Sequence, residues 1–369
     1  MLEVAKQDAG LMRSILSRIA TGPELSKDIS RAEACAGLRL VLDGLVDPVE
    51  AGVFLIALRM KRESDDEMCG LLDAIRDATQ TVVAPVDELI DLGDPYDGYA
   101  RSLPIAPFLP AVLAACGVPS ITHGVESMGP KYGVTHRQVL RAAGLPVDLT
   151  VKQASAAIAD PTIGWAYLDQ STFCPKLYAL ARLRSLIVKR PALTTLEVLA
   201  GPVRARRHTH LVTGYVHKAY PRVYALLARA AGYDTALLVR GVEGGVVPSV
   251  REEGKYFSYK GKEGEVAREI TAGEFGLAQS LRPPPIPGEL LGDDDHAKRL
   301  DANAIARAAA DGGQRALAGE PGPIRDHLIA AAALCLLHLD RYLTPLSAAV
   351  AVRGALDDGS AARRLRKLK

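Results

Sequence analysis

From about residue 82 onward, the chain alternates short runs rich in β-branched and aromatic residues with stretches whose apolar residues recur at helical spacing. This alternation is typical of strands joined by right-handed helical crossovers, and it predicts a mainly parallel sheet. The predicted strands are residues 89–92, 120–123, 163–168, 210–216 and 235–240. Ligands of such sheets bind beyond the carboxyl ends of the strands, so we expect the functional site at that edge.

The first 75 or so residues instead predict helices throughout. Ser30 with Glu33, and Ser64 with Glu67, have the spacing of a capping box, and Asp47 precedes a further helix start. Short amphipathic helices are not stable alone in water, so these helices must pack on one another and on the rest of the chain. The sequence therefore predicts the α/β class, with a helical amino-terminal part.

The composition excludes several classes of protein. With 369 residues, 48% of them hydrophobic, the chain can bury a full core and is not expected to be disordered. The amino-terminal stretch lacks the continuous apolar segment of a signal peptide, and the longest apolar run, 328–337, is about half as long as a membrane span. Five widely spaced cysteines argue against a disulfide framework or a zinc site. We expect a cytoplasmic protein with no membrane partner.

The formal net charge of +2 conceals a strong asymmetry. Residues 176–222 contain ten Lys or Arg and one acid, whereas residues 63–97 contain eleven acids and one Arg. Spread cations of this kind can neutralise the phosphates of a nucleic acid, and the neighbouring tyrosines can stack on bases. The candidates for nucleic-acid contact are Arg182, Arg184, Lys189, Arg190, Arg204, Arg206, Arg207 and Lys218. The alternative is that the basic segment pairs with the acidic block, which a dimer could bring near.

A loop, a helix and a strand follow one another between residues 94 and 124, the arrangement that gathers phosphate groups in parallel α/β proteins. His123 ends the predicted strand, where it could bond a phosphate or donate a proton; the alternative is a histidine bonded to backbone. Lys131, in the next loop, could place positive charge over the same cleft. The candidates for phosphate or substrate binding are Asp94, Asp97, Gly98, Arg101, Ser102, His123, Gly124 and Lys131.

Glu243 is the candidate metal ligand. It follows an apolar predicted strand, where a carboxylate can hold Mg²⁺ if a second carboxylate and a phosphate complete the octahedron, and Asp94 or Asp97 could be that second group. Alternatively, the glycines after Glu243 form only a turn. The acidic run 293–296 is more typical of a solvated turn with a helix cap than of a metal site.

Six segments, in this order along the chain, carry a resemblance to a known family. They are VFLIALRMKRESDDEMCGLLDAIRD at 53–77, His123-Gly124, Gly201-Pro202, RGVEG at 240–244, EFG at 274–276 and GPIRDHLIAAAAL at 322–334. Together they resemble the anthranilate phosphoribosyltransferase family of glycosyltransferases. The resemblance implies a small helical domain at 1–76, to which about 174–200 returns, and a large α/β domain at 80–369 with a mainly parallel central sheet flanked by helices. It also implies a homodimer formed through the helical domain, with Mg²⁺ and phosphoribosyl pyrophosphate (PRPP) at the strand ends.

The residues that the resemblance places around the pyrophosphate depart from the family's pattern. The family's GTGGD loop and N-x-S-T element correspond here to residues 94–98 and to Pro104, Ala106 and Pro107. A proline has no amide to donate, and a carboxylate in the loop repels phosphate. The family's KHGNR reads THGVE at 122–126, and its paired Asp-Glu for Mg²⁺ is reduced to Glu243 followed by glycine.

The residues that the resemblance associates with anthranilate are also changed. The His-His-Pro motif reads FCP at 173–175, and the arginine for the aromatic acid falls near Val188. We therefore predict a protein of the glycosyl- and phosphoribosyltransferase family with a degenerate pyrophosphate loop that does not use anthranilate. The alternative, associated with divergent branches of the family, is a non-catalytic homodimer that binds single-stranded nucleic acid through the basic surface 176–222.

Overall fold

A computed structural model describes residues 2–22, 24–251, 253–290 and 301–369. Its amino-terminal part consists of helices α1 (Leu2–Ile19), α2 (Arg31–Leu42), α3 (Pro48–Lys61) and α4 (Asp65–Asp77). Ser30, Asp47 and Ser64 each accept a hydrogen bond from a backbone amide in the first turn of the helix that follows. The three helix starts predicted from capping spacing are thereby confirmed, because each cap satisfies an amide that the helix itself leaves unpaired.

The rest of the chain is built on a seven-stranded sheet. In chain order the strands are β1 (Val82–Val83), β2 (Glu88–Gly93), β3 (Ser120–Gly124), β4 (Trp165–Asp169), β5 (Val203–Arg204), β6 (His208–Gly214), β7 (Thr235–Val239), β8 (Gly254–Lys260) and β9 (Val266–Ile270). The order in the large sheet is β4-β3-β2-β6-β7-β8-β9, with β1 and β5 forming a separate parallel pair. The five predicted strands β2, β3, β4, β6 and β7 run parallel, which confirms the mainly parallel sheet. Strands β8 and β9 add antiparallel pairs beyond β7.

Helices cover both faces of this sheet. They are α5 (Leu109–Ala115), α6 (His136–Ala142), α7 (Val151–Ala159), α8 (Gln170–Phe173), α9 (Pro175–Tyr178), α10 (Ala181–Ile187), α11 (Leu193–Leu196), α12 (Tyr220–Ala230), α13 (Ala302–Leu317), α14 (Pro323–His338), α15 (Pro345–Asp357) and α16 (Ser360–Lys367). The segment 177–188 holds the end of α9 and all of α10, and the chain turns at Val188, whose φ is 63°. No helix among the described residues combines the length and apolar character that a bilayer crossing requires.

Alternate residues of the central strands face opposite sides of the sheet. Ile90 and Val212 pack with α5 and the carboxyl-terminal helices, whereas Leu89 and Leu211 pack in the core that includes Leu72 of the helical part. Both faces of the parallel strands are therefore apolar and covered, which leaves the strand ends as the place for polar chemistry. All five cysteines are free thiols.

The segment after β4 lies against the helical part. The Cys174 thiol is 3.6 Å from the carbonyl oxygen of Ala78, Lys176 pairs with Asp43 at 2.6 Å, and α10 packs on α3. These contacts are the ones required if residues 174–200 belong to the helical domain. The domain boundaries at 76 and 80 stay a prediction.

Candidate functional site

Three loops meet at the carboxyl ends of the parallel strands. They are residues 94–105 after β2, 125–134 after β3 and 240–250 after β7. Gly98 has φ +72°, and a Cβ there would lie 2.5 Å from the carbonyl oxygen of Gly133, so the first two loops approach too closely for a side chain. Tyr99 and Val134 exchange both backbone hydrogen bonds, at 2.9 and 2.7 Å. The segment predicted to gather phosphate is thus held at the expected edge of the sheet.

Asp94 fastens the first loop to the third. One carboxylate oxygen accepts from the Tyr99 hydroxyl at 2.6 Å and lies 2.8 Å from His136 Nε2, and the other accepts from the Val246 amide at 2.8 Å. Burial, and then the Asp94 charge, raise the pKa of Tyr99 well above its ordinary value, so the phenol stays a donor. Gly245 allows this approach, because a Cβ there would lie 1.9 Å from the Tyr99 hydroxyl oxygen. Both carboxylate oxygens are bonded within the protein and the residue is 1% exposed, so Asp94 holds the loops together.

The Glu243 carboxylate sits on the first loop. Its Oε1 accepts from the Arg101 amide at 2.9 Å and from the Ser102 hydroxyl at 2.8 Å, and its Oε2 accepts from the Ala100 amide at 3.0 Å. Two amides and a hydroxyl directed at one anion are what a phosphate group also requires. The predicted residues Arg101 and Ser102 therefore meet at an anion position, Arg101 through its backbone while its side chain is exposed.

Lys131 lies between two carboxylates. Its Nζ is 3.4 Å from Asp97 Oδ1 and 3.5 Å from Glu243 Oε2. The other oxygen of Asp97 accepts from Arg190, at 3.0 Å from Nε and 2.6 Å from Nη2. We call these four residues, Asp97, Lys131, Arg190 and Glu243, the loop cluster. It holds two acids and two bases in contact with each other.

The carboxylates predicted to hold Mg²⁺ do not fit that ion. Magnesium requires about six oxygen ligands in near-ideal octahedral geometry. Here Asp94 and Glu243 are already bonded to protein donors, and the Lys131 ammonium lies between Asp97 and Glu243. Across the part of the chain that the structure describes, no three His, Cys, Asp or Glu side chains are grouped to hold a metal. The acidic run 293–296 lies outside the described residues.

His123, which the sequence suggests could bond a phosphate or donate a proton, instead belongs to a buried network. Its Nε2 is 2.9 Å from Asp91 Oδ1 and its Nδ1 is 2.5 Å from the Tyr96 hydroxyl, while Tyr233 donates to Asp91 Oδ2 at 2.6 Å. We call Asp91, Tyr96, His123 and Tyr233 the interior network. The ring is 1% exposed and has no free nitrogen, so it cannot reach a phosphate in this conformation. The neighbouring Gly124 is buried beside the Tyr167 ring.

Three of the predicted nucleic-acid residues are engaged within the protein. Arg184 is buried and pairs with Glu197 through two contacts, at 2.7 and 2.8 Å, so it is not available to a nucleic acid. Arg190 belongs to the loop cluster. Arg204 lies 4.0 Å from the centre of the Tyr233 ring and donates to a backbone carbonyl at 3.0 Å. Arg190–Asp97 and a second pair, Arg222–Asp65, join the basic segment to the acidic block within one chain.

The other five predicted cations are exposed, and no ion pair involves them among the described residues. They are Arg182, Lys189, Arg206, Arg207 and Lys218. Arg206 and Arg207 precede β6 and Lys218 follows it. Since a strand rises about 3.3 Å per residue, these cations lie roughly 20 Å or more apart. The basic surface is therefore divided between the two ends of the sheet.

Sequence reasoning missed His136 and the amides of residues 100 and 101. His136 is the first residue of α6, and the capping box between Thr135 and Gln138 could have placed it beside the loop. The two amides could not be recognised from the sequence, because every residue except proline supplies a backbone amide.

A second polar region lies at the amino ends of β6 and β7, beside an open cavity of about 830 Å³ lined partly by His208, His210 and Asp234. Contact with His210, whose Nε2 lies 3.3 Å from Glu88 Oε1, together with Arg341, lowers the pKa of Glu88 to about 2. Burial lowers the pKa of His338, which lies 2.6 Å from the Thr235 hydroxyl, to about 3. Two pairs link side chains here, His208 with Asp234 at 3.4 Å and His210 with Thr235 at 2.9 Å.

Comparison with known proteins was made on the sequence and on the fold. Residues 13–79 match the family model described as the helical bundle domain of a glycosyl transferase family. An anthranilate phosphoribosyltransferase of Rhodopseudomonas palustris (strain BisA53) is 29% identical over 358 residues, covering 96% of each chain. The crystal structure of the Thermus thermophilus anthranilate phosphoribosyltransferase has a TM-score of 0.73 at 20% identity, covering 97% of this chain and 98% of that one. The Saccharomyces cerevisiae enzyme in complex with PRPP and Mg gives 0.73 at 15% identity and covers 97% of both.

Proposed function

Because the chain belongs to the anthranilate phosphoribosyltransferase family, we propose that it binds a phosphorylated sugar of the PRPP class and transfers it to or from an acceptor other than anthranilate. The observation that carries this proposal is the anion position at residues 100–102, where two amides and a hydroxyl converge on a carboxylate. It lies at the carboxyl ends of parallel strands, where ligands of such folds bind.

The anion contacts differ from those of a glycine loop. Pro104 and Pro107 remove amides, and the loop before them carries the buried rings of Tyr96 and Tyr99. Donors are supplied instead by residues 100–102 and by the Lys131 ammonium. We infer that the phosphate contacts lie at residues 100–102 and not at residues 94–98, where the family's glycine loop falls. The loop at 94–98 is degenerate in this sense.

In this proposal the protein's contribution is electrostatic. A leaving pyrophosphate gains negative charge as the glycosidic bond breaks, and fixed amides with one ammonium stabilise that charge without having to reorganise. Lys131 is only partly exposed, so its charge is screened less than that of a surface lysine.

The acceptor proposal is supported by the residues at the positions associated with anthranilate. Phe173 and Cys174 are fully buried, and Phe173 packs edge-on against His123 with ring centres 5.8 Å apart. Near Val188, the arginine that could bind an aromatic carboxylate is Arg190, and Asp97 already holds it. Neither position offers a free group for anthranilate.

The test is calorimetry of the purified protein with PRPP at up to millimolar concentration, followed by assays with anthranilate and with a panel of nucleobases and aromatic acids. We expect PRPP binding and no anthranilate turnover. Absence of PRPP binding would overturn the proposal, and efficient anthranilate transfer would overturn its second half.

We also propose a homodimer formed through the helical part. Val49 and Met60 on α3 are 72% and 73% exposed, and Leu186 at the end of the neighbouring α10 is 71% exposed. Large apolar side chains exposed on two helices that pack together are costly to leave in water and are typical of protein contact surfaces. Sedimentation should give a dimer for the native chain and a monomer for Met60→Glu with Leu186→Glu, and a monomeric native chain would contradict the proposal.

Nucleic-acid binding is the second candidate function. The observation in its favour is that Arg182, Lys189, Arg206, Arg207 and Lys218 are exposed. Binding through phosphates should weaken steeply with salt, by roughly one log–log unit per contact. Affinity for a single-stranded oligonucleotide that is flat between low and high salt, or that survives Arg206→Glu with Arg207→Glu, would exclude it.

A further inference from the structure

The carboxylate of Glu243 fills an anion position that a different loop provides. The Ala100 and Arg101 amides, the Ser102 hydroxyl and the Lys131 ammonium surround it at distances from 2.8 to 3.5 Å. The four donors come from two loops, and the acceptor comes from the third. The chain therefore supplies its own anion at the position where the proposed function requires a phosphate.

The backbone of Glu243 is strained in this position. Its φ of 51° and ψ of 21° lie in the left-handed region, which is unfavourable for a residue with a side chain. Glycines at 241, 244 and 245 surround it, and Gly244 itself has φ +85°. Backbone hydrogen bonds from Val242 to Val247 and from Gly245 to Val242, each 2.9 Å, hold the turn itself, whereas the contacts to residues 100–102 hold only the carboxylate. The carboxylate can leave without unfolding either loop.

The charges around Glu243 also favour its replacement by another anion. The loop cluster balances Asp97 and Glu243 against Lys131 and Arg190. When Glu243 moves out, one acid remains against two bases, and the position gains a net positive charge. With a phosphate bound in place of Glu243, the Lys131 ammonium would lie between that phosphate and the Asp97 carboxylate. A divalent cation would otherwise take this place.

We propose that Glu243 is a displaceable internal anion, which closes the site in the ligand-free protein and which a phosphate or pyrophosphate group replaces on binding, with Lys131 in place of a metal ion. The inference rests on the proposed function, because it concerns the same site. Apparent affinity is the intrinsic affinity multiplied by the fraction of open protein, so removing Glu243 must strengthen binding.

The experiment is a calorimetric titration with inorganic pyrophosphate in EDTA, on the native chain, on Glu243→Gln and on Glu243→Asp. Glu243→Gln removes the competing charge, and we expect its dissociation constant to be about tenfold lower or more, since a closed fraction of nine-tenths gives that factor. Glu243→Asp keeps the charge on a side chain one methylene shorter, so we expect an intermediate gain. Should the Gln variant not fold, the Asp variant alone decides the question.

Glu24→Gln is the matched control, because Glu24 is exposed in the helical part, and its affinity should equal that of the native chain. Equal affinity in the native chain and both Glu243 variants overturns the displacement, while binding itself upholds the proposed function. Binding that disappears in EDTA and returns with Mg²⁺ overturns the role given to Lys131. No binding of pyrophosphate or PRPP by any of these proteins, with or without Mg²⁺, overturns the proposed function itself.

Discussion

Three of the four members of the loop cluster follow a member of the interior network by one to ten residues along the chain, yet the two groups differ in where their side chains are held. Asp91 and His123 lie on β2 and β3, whose register is fixed by the sheet, and both are at most 1% exposed. Lys131 and Glu243 lie on loops and keep 17% and 12% of their side chains exposed. A histidine at a strand end and a lysine in a loop look equally functional in the sequence. Only the second is placed where a ligand can exchange with its present partners.

Because of this difference, substitutions in the two clusters should have different effects. Removing a member of the interior network leaves buried groups unpaired, so the effect should appear in stability. Removing a member of the loop cluster exposes groups that water or a ligand can satisfy, so the effect should appear in binding.

Asp91→Ala should have the largest effect. It removes the acceptor of two hydrogen bonds at a fully buried position and should lower the free energy of unfolding by about 3–5 kcal/mol. Urea denaturation measures the change. Asp66→Ala, at an exposed position, should stay within about 1 kcal/mol of the native chain. A loss below that value for Asp91→Ala would show that the interior network is not a stabilising element.

Stability should fall as the pH drops below 6.5, because His338 is buried in its neutral form. Its folded pKa of about 3 lies below the ordinary 6.5, so the unfolded chain binds the proton first and the loss continues down to about pH 3. One proton gives a slope of at most about 1.4 kcal/mol per pH unit. Between pH 6.5 and 4.5 the loss of stability from His338 is separated from that of Glu88. The folded pKa of Glu88 is near 2, so the stability that Glu88 contributes is lost only below about pH 4.5.

The measurement is the pH dependence of urea unfolding for the native chain and for His338→Leu. The variant should show a shallower slope in that window, and His217→Gln, which changes an exposed histidine, should keep the native slope. Parallel curves for the native chain and His338→Leu would rule out the assignment.

Lys131→Met should weaken PRPP binding about tenfold or more, because a charge-assisted contact contributes about 1.5–3 kcal/mol. Its effect on unfolding should stay below about 1 kcal/mol, as for other partly exposed ion pairs. Calorimetry and urea denaturation on the same preparation separate the two. Lys152→Met, at an exposed position on α7, serves as the control for loss of charge. If Lys131→Met strongly lowers the free energy of unfolding and leaves PRPP binding unchanged, Lys131 has a structural role like that of the interior network.

Tyr96→Phe should have the smallest effect on stability. It tests whether Tyr96 acts with the interior network or with the loop cluster. Tyr96 lies in the first loop between Asp94 and Asp97, but its hydroxyl bonds to His123. We expect a loss of about 1 kcal/mol in unfolding free energy, the contribution of one hydrogen bond, and unchanged PRPP affinity. A shift in affinity would mean that the interior network and the loop cluster act together.

The fold followed from local patterns, and the site did not. The caps at Ser30, Asp47 and Ser64 act within three residues of themselves, so the sequence contains the whole interaction. The five parallel strands were likewise predicted from short runs of residues, with most ends shifted by only one or two positions. Local interactions of this kind need no knowledge of the tertiary structure.

The site contacts join distant residues instead. Asp94 bonds to an amide 152 positions away, and Glu243 bonds to residues 141 to 143 positions before it. Lys131 was predicted to bring charge to the cleft, but its two carboxylate partners could be identified only once the loops were positioned. Arg184 and Arg190 were predicted to contact nucleic acid because they lie in a basic segment. Their partners, Glu197 and Asp97, could not be recognised from residue type.

The close approach at Gly245 has an evolutionary consequence. A side chain there would collide with the Tyr99 hydroxyl at 1.9 Å and with Asp94 Oδ1 at 2.8 Å, so three positions on two loops share one space. Substitutions must then occur in a fixed order: Tyr99 has to become smaller, and Asp94 has to shift, before Gly245 can change. Among descendants of this chain, larger residues at position 245 should accompany smaller ones at position 99, and the two loops should diverge as a unit.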